Sequence, residues 1–113
     1  MDERQALSAF GALSQETRLR ILRMLVIAGP DGVAAGSIAE RVEVSASNVS
    51  FHLKELERAG LVTVRRDSRS MVYRAAYDAL SGLIRFLMED CCSGRPEICV
   101  PALACCPAPV EAH

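Results

Sequence analysis

The chain has 113 residues, and its 50% hydrophobic content is enough for one small domain with its own core. Its formal net charge of −1 gives no global sign of a nucleic-acid-binding protein, so any basic surface must be local. No apolar run reaches the roughly 18 residues of a membrane span, and the charged N-terminus is unlike a secretory signal. These features predict a cytoplasmic protein with no membrane partner.

Two helices are predicted before residue 30. The stretch ALSAFGAL carries more apolar residues than one small core needs. In the following stretch, SQETRLRILRMLVIAG, Ser14 is a candidate N-cap, and Gly29 with Pro30 ends the helix. Two adjoining apolar stripes of this second helix are expected in the core; they are formed by Leu19, Leu22 and Val26 and by Ile21 and Leu25.

A helix-turn-helix is predicted next. GSIAERVEV is a short helix candidate, and Ser45 is a candidate N-cap for a second helix that Gly60 closes. The periodicity gives this second helix an apolar face and a polar face. The apolar face carries Val49, Leu53 and Leu56. The polar face is expected outside the core and carries Ser47, Phe51, Lys54 and Arg58.

A β-hairpin and a last helix follow. The hairpin is predicted from two β-rich runs, Leu61–Arg66 and Met71–Ala75, around a polar turn. The last helix is expected from about Tyr77 to Asp90, with an apolar stripe too wide for packing on one small domain. The predicted fold is therefore mainly α-helical with a β-hairpin wing.

Basic side chains are concentrated in the central segment. Between Ser45 and Tyr77 there are six cationic side chains and three acidic ones. Charge alone is equally consistent with a solvated hairpin. The order of a helix-turn-helix and a basic hairpin favours a wing on DNA phosphates and a helix in the major groove.

The same segments resemble the ArsR/SmtB family of winged-helix repressors. The resemblance covers about residues 5–90 and rests on ALSQETRLRILRML, SIAERVEVSASNVSFHLKELERAGLV and VRRDSRSMVYRAA. This chain departs from the family in the wing turn, where members often carry glycine and this chain has Ser68. A positive φ is less favourable for serine than for glycine. His52, on the edge of the apolar stripe, is expected to pack or to bond to backbone rather than to a base.

The resemblance implies a homodimer that binds double-stranded operator DNA and leaves it when an inducer binds. The implied DNA contacts are Ser45, Ser47, Asn48, Ser50, Phe51, Lys54, Arg58, Arg65, Arg66 and Arg69. The expected dimer interface lies on the first and last helices and comprises Leu7, Phe10, Leu80, Leu83, Ile84 and Leu87. No constellation of nucleophile, base and cleft indicates an enzyme.

All five cysteines lie in the stretch CCSGRPEICVPALACC, residues 91–106. Residues 93–113 show no helical period and hold four of the five prolines, so they are interpreted as a tail on a domain of residues 1–92. In a reducing cytoplasm clustered thiols are more often metal-binding or redox-active than disulfide-bonded. A mobile reactive tail without a defined ligand is the plainer alternative.

An all-sulfur ligand set selects thiophilic ions, and trivalent arsenic needs three thiolates. The pair Cys91 and Cys92 with Cys99 also resembles a subgroup of arsenic-responsive members with a C-terminal site. The predicted inducer is arsenite, with antimonite or methylarsenite as substitutes and Cys105 and Cys106 as further possible ligands; no cofactor is expected for folding. The alternatives are a cadmium, lead or thiol-oxidation sensor of the same fold, and a cytosolic arsenic-binding carrier that does not bind DNA.

Overall fold

The computed structural model describes residues 1–88, which form five helices and three strands. In chain order these are α1 (Glu3–Leu13), α2 (Glu16–Ala28), β1 (Val33–Ala34), α3 (Ala35–Val42), α4 (Ala46–Arg58), β2 (Val62–Asp67), β3 (Ser70–Ala75) and α5 (Tyr77–Met88). The five cysteines and the predicted boundary between residues 1–92 and 93–113 lie outside the described residues. Within residues 1–88, no helix has the length and apolar character needed to cross a membrane.

One hydrophobic core joins the helices to the inner face of the hairpin. Its fully buried large side chains are Ile21, Leu25, Ile38, Val49, Leu53, Leu56, Leu61 and Val62. Three alanines of α1 are also buried, which lets that helix approach the core closely. The prediction that both stripes of α2 are core is wrong for Leu19 and Val26, which are exposed, because the core contacts only the face that carries Ile21, Leu22 and Leu25.

The start of α2 differs from the sequence-based prediction. Ser14 belongs to the end of α1, since its hydroxyl donates to the carbonyl of Gly11 at 2.8 Å. The N-cap is Gln15, whose side-chain oxygen accepts from the backbone N–H of Arg18 at 3.0 Å. A glutamine cap was not predicted because Ser is a much commoner N-cap residue. Gly29, at φ 91°, ends the helix as predicted.

Both predicted ends of α4 are confirmed. The hydroxyl of Ser45 accepts from the backbone N–H of Asn48 at 3.3 Å. At the other end Gly60 has a φ of 81°, and its N–H donates to the carbonyl of Glu57 while the N–H of Leu61 donates to that of Leu56. These two bonds form a Schellman motif, which satisfies the last carbonyls and turns the chain sharply into the hairpin.

The turn between α3 and α4 uses the same hydrogen bonds without a glycine. The N–H of Val44 donates to the carbonyl of Ala39, and the N–H of Glu43 donates to that of Glu40. Glu43 therefore adopts the left-handed conformation, with φ 57° and ψ 46°. This conformation brings a side chain close to the following carbonyl, so the turn of the helix-turn-helix carries local strain.

The wing is the predicted hairpin, extended by a third short strand. The strands are ordered β1-β3-β2 and are antiparallel, with the β2–β3 pairing running from Val62 opposite Ala75 to Asp67 opposite Ser70. Ser68, at the turn, has a φ of 58°, so it adopts the positive-φ conformation that is less favourable for serine than for glycine. With only two residues, β1 was too short to predict. The fold is a mainly helical winged helix-turn-helix, as expected.

Candidate nucleic-acid interface

The polar face of α4 is exposed along its whole length. Its opposite face is fixed in the core by Val49, Leu53 and Leu56, each at most 1% exposed. Because these three side chains repeat at helical spacing, the residues on the opposite face of the helix point outward. The predicted DNA contacts on and before this helix are all exposed; they are Ser45, Ser47, Asn48, Ser50, Phe51, Lys54 and Arg58.

A contact between α2 and α4 supports the base of this face. The Nε of Arg18 donates to the Nδ1 of His52 at 3.1 Å. The same guanidinium lies over the ring of Phe51, 5.5 Å from its centroid, a distance at which a cation is attracted to the ring face. The His52 ring meets the Phe51 ring edge-on, with centroids 5.6 Å apart. Arg18 was not identified from the sequence, because contacts across 34 residues have no local signal.

His52 is half-buried, and the hydrogen bond fixes its chemical form. Burial lowers the pKa of His52, and the nearby positive charge of Arg18 lowers it further. The neutral ring accepts at Nδ1, so its own proton is on Nε2. His52 packs as predicted, but its bonding partner is a side chain and not the backbone, because Arg18 reaches it from the neighbouring helix.

The arginines predicted to contact DNA differ in whether their side chains already bond to other residues. Arg65 is exposed, but its guanidinium donates to the backbone carbonyl of Asp31 at 3.0 Å and so ties β2 to the loop before β1. Arg58 forms an ion pair with Glu55 at 3.1 Å. Arg66 and Arg69 are exposed near the turn of the hairpin, and the side chain of neither one forms a hydrogen bond or ion pair within residues 1–88. Phosphate contacts from the wing therefore fit Arg66 and Arg69 best.

Apolar side chains are exposed on α1 and α5. Leu7 and Phe10 of α1 are 64% and 41% exposed, and Ile84 and Leu87 of α5 are 40% and 51% exposed. Of the other two predicted interface residues, Leu83 is only 6% exposed, and Leu80 is partly buried against the core. The exposed part of the predicted interface is thus formed by four side chains on α1 and α5.

The predicted arsenic ligands Cys91, Cys92, Cys99, Cys105 and Cys106 lie outside the described residues. Within residues 1–88, no three His, Asp or Glu side chains are grouped as a metal site would require.

Comparison with known proteins agrees with the fold. A family model for a helix-turn-helix domain matches residues 13–65. The HTH-type transcriptional regulator YgaV of Escherichia coli is 33% identical over 88 residues, which are 78% of this chain and 87% of YgaV. An ArsR-like transcriptional regulator from Rhodococcus sp. RHA1 has a similar structure, with a TM-score of 0.66 and 37% identity over 74% of this chain and 76% of that one.

Other similar proteins bear on assembly and on arsenic. A homodimeric winged helix-turn-helix DNA-binding domain from Mycobacterium bovis superimposes with a TM-score of 0.62 and 27% identity, covering 80% of this chain and 89% of its own. A putative arsenical resistance operon repressor of Halobacterium salinarum is 40% identical over 63 residues, which are 56% of this chain and 48% of that protein.

Proposed function

Since the chain belongs to the ArsR family of winged helix-turn-helix transcriptional regulators, which are DNA-binding proteins and not enzymes, we propose that it is a homodimeric repressor that trivalent arsenic removes from its operator. The observation that carries the DNA-binding part of this proposal is the face of α4. It presents small polar side chains and Lys54 to solvent, while a basic wing follows directly in the chain.

The two surfaces have different tasks in this proposal. Ser47 and Ser50 of α4 contact base edges in the major groove, because hydroxyl groups can donate to or accept from bases. Arg66 and Arg69 contact phosphates, which position the protein without reading sequence. Arg65 serves the wing through its bond to the loop before β1, and so acts on DNA less directly.

Dimerisation is proposed through the exposed apolar side chains of α1 and α5. Leu7, Phe10, Ile84 and Leu87 are costly to leave in water, and burying them against the same residues of a second subunit removes that cost. A dimer places two copies of α4 on one operator, about one helical turn of DNA apart. The similar DNA-binding domain from Mycobacterium bovis is homodimeric, which supports dimerisation.

The arsenic part of the proposal rests on the cysteines and on the similar arsenical resistance protein. Cys91 follows the last described residue of α5 by three positions, and with Cys92 and Cys99 it supplies the three thiolates that As(III) needs. Ligation by residues that follow α5 in the chain would act on the subunit arrangement and so on the spacing of the two α4 helices. A coupling of about 3 kcal/mol would weaken DNA binding roughly 150-fold.

The test is a gel shift with the DNA upstream of the protein's own gene. The proposal predicts a retarded complex with the metal-free, reduced protein and its loss on adding arsenite or antimonite. Release by cadmium, lead or an oxidant, with arsenite ineffective, would instead identify the other sensor types of the same fold. Arsenite binding without any DNA complex would identify an arsenic carrier.

A further inference from the structure

Phe51 is unusual among the exposed residues of α4. It is the only large apolar side chain exposed on that helix, and 55% of its surface is accessible. Its exposed helical neighbours one turn away and beside it are Ser47, Ser50 and Lys54, so the ring lies within a polar surface. Single exposed apolar side chains are common on protein surfaces, so the position of this ring, on the face proposed to enter DNA, is what indicates a partner that covers it.

The ring of Phe51 is held in one place by two neighbours. The guanidinium of Arg18 lies over the ring, and the ring of His52 meets its edge. Arg18 is itself fixed by its hydrogen bond to His52. Because these contacts restrict the ring before any partner binds, little side-chain entropy remains to be lost on binding.

We infer that Phe51 reads thymine by packing against its C5 methyl group in the major groove. This inference rests on the proposed function, in which the same face of α4 enters that groove. The thymine methyl is the apolar group that a base pair displays there, and phenylalanine is among the side chains that contact it. The operator half-site therefore contains a thymine opposite Phe51, between the bases that the neighbouring serines contact.

A purely structural role for Phe51 predicts a different result. A ring that only supported Arg18 and His52 would affect folding and overall affinity, but it would not distinguish thymine from uracil. Deoxyuridine has the same hydrogen-bonding groups as thymidine and lacks only the methyl group. The thymine-to-uracil exchange thus isolates the contact.

The experiment begins with selection of binding sites from a random duplex library by the full-length, reduced protein. Each thymine of the enriched sequence is then replaced singly by deoxyuridine, and affinities are measured by fluorescence anisotropy. We expect one position in each half-site at which the replacement weakens wild-type binding about fourfold, the value for one methyl group removed from contact. Phe51→Ala should bind thymine and uracil duplexes equally at this position.

Two further variants serve as controls for Phe51→Ala. Phe51→Leu keeps an apolar side chain and should retain part of the thymine preference. Ile27→Ala removes another exposed apolar side chain, one that is 79% exposed on α2, and should retain the full preference. Circular dichroism should show that each variant is folded, as expected for changes at exposed positions.

The outcomes separate this inference from the proposed function. Enrichment of a specific site with no uracil-sensitive position, or with equal sensitivity in Phe51→Ala, overturns the role of Phe51 and leaves operator binding intact. Failure to enrich any sequence overturns operator binding itself, and the reading of thymine with it.

Discussion

The side chain of Arg18 on α2 donates a hydrogen bond from Nε to the Nδ1 of His52 on α4, over 3.1 Å. This bond joins the helix that precedes the helix-turn-helix to the helix proposed to enter DNA. Protonation of His52 at Nδ1 would replace the acceptor with a donor and break the bond. The link between the two helices is therefore sensitive to pH.

We predict that His52 titrates below the ordinary histidine value of about 6.5. Burial and the charge of Arg18 both disfavour the protonated ring, so the folded pKa is lowered. As the pH falls below the pKa of His52 in the unfolded chain, the unfolded chain binds more protons than the folded chain. The free energy of unfolding therefore decreases until the pH has fallen below the pKa of His52 in the folded chain. NMR titration should show that Arg18→Met raises the pKa of His52. The pKa should stay below the ordinary histidine value, because burial is the larger cause of the shift. Arg23→Met, on the exposed side of α2, should leave the pKa unchanged. A wild-type pKa at or above 6.5 would contradict this.

Replacement of Glu43 by glycine should stabilise the domain. Its left-handed conformation costs roughly 1–2 kcal/mol for a residue with a side chain, and this exceeds the added backbone entropy of glycine in the unfolded chain. We expect a gain of about 0.5–1 kcal/mol in the free energy of unfolding, measured in urea. Glu40→Gly removes the same charge within the helical part of α3 and should destabilise. A loss of stability in Glu43→Gly would disprove the strain.

The wing arginines should contribute to DNA binding through phosphates. Arg66→Ala or Arg69→Ala should weaken binding to operator and random duplexes alike, and should lower the slope of log affinity against log salt by about one for each wing. Arg85→Ala on α5 provides a charge-matched control and should leave the slope unchanged. If Arg66→Ala and Arg69→Ala both retained the wild-type slope, the wing would not contact phosphates.

The apolar face of α1 and α5 should hold the dimer together. Leu7→Glu or Leu87→Glu places a charge in the proposed interface at a position exposed in the single subunit, so folding should survive while the dimer dissociates. Sedimentation analysis should show monomers, and operator binding should be lost. Ile27→Glu, at an exposed site on α2, should remain dimeric. Leu83 is unsuited to this test because its burial in the subunit makes a charge there destabilising. A wild type that is monomeric at micromolar concentration would contradict the interface.

The sequence predicted the elements of the fold where local signals are strong. Ser45 and Gly60 bracket α4 because capping and left-handed turns depend on residue type at one position, and the spacing of Val49, Leu53 and Leu56 identifies its buried face. The two runs of the hairpin were predicted within about a residue of their limits.

Other features depend on contacts distant in the chain. Two examples are the hydrogen bond from Arg18 to His52 and the pairing of β1 with β3. Both form only when the elements pack together, so no local sequence pattern predicts them. The burial of Leu83 within the subunit has the same origin. The apolar stripe of α5 does not show which of its residues the subunit itself buries. Exposure, and not apolar character, separates the candidate dimer contacts from the core.

Serine replacements of the cysteines test whether trivalent arsenic at the C-terminal thiols removes the protein from DNA. Fluorescence anisotropy with operator DNA should be measured across an arsenite titration for the wild type, for single serine replacements of Cys91, Cys92 and Cys99, and for Cys105→Ser combined with Cys106→Ser. All variants should bind DNA, the three single variants should resist release, and the double variant should be released like the wild type. Arsenite-induced release in all three single variants, or wild-type protein that stays on DNA at saturating arsenite, would contradict this prediction.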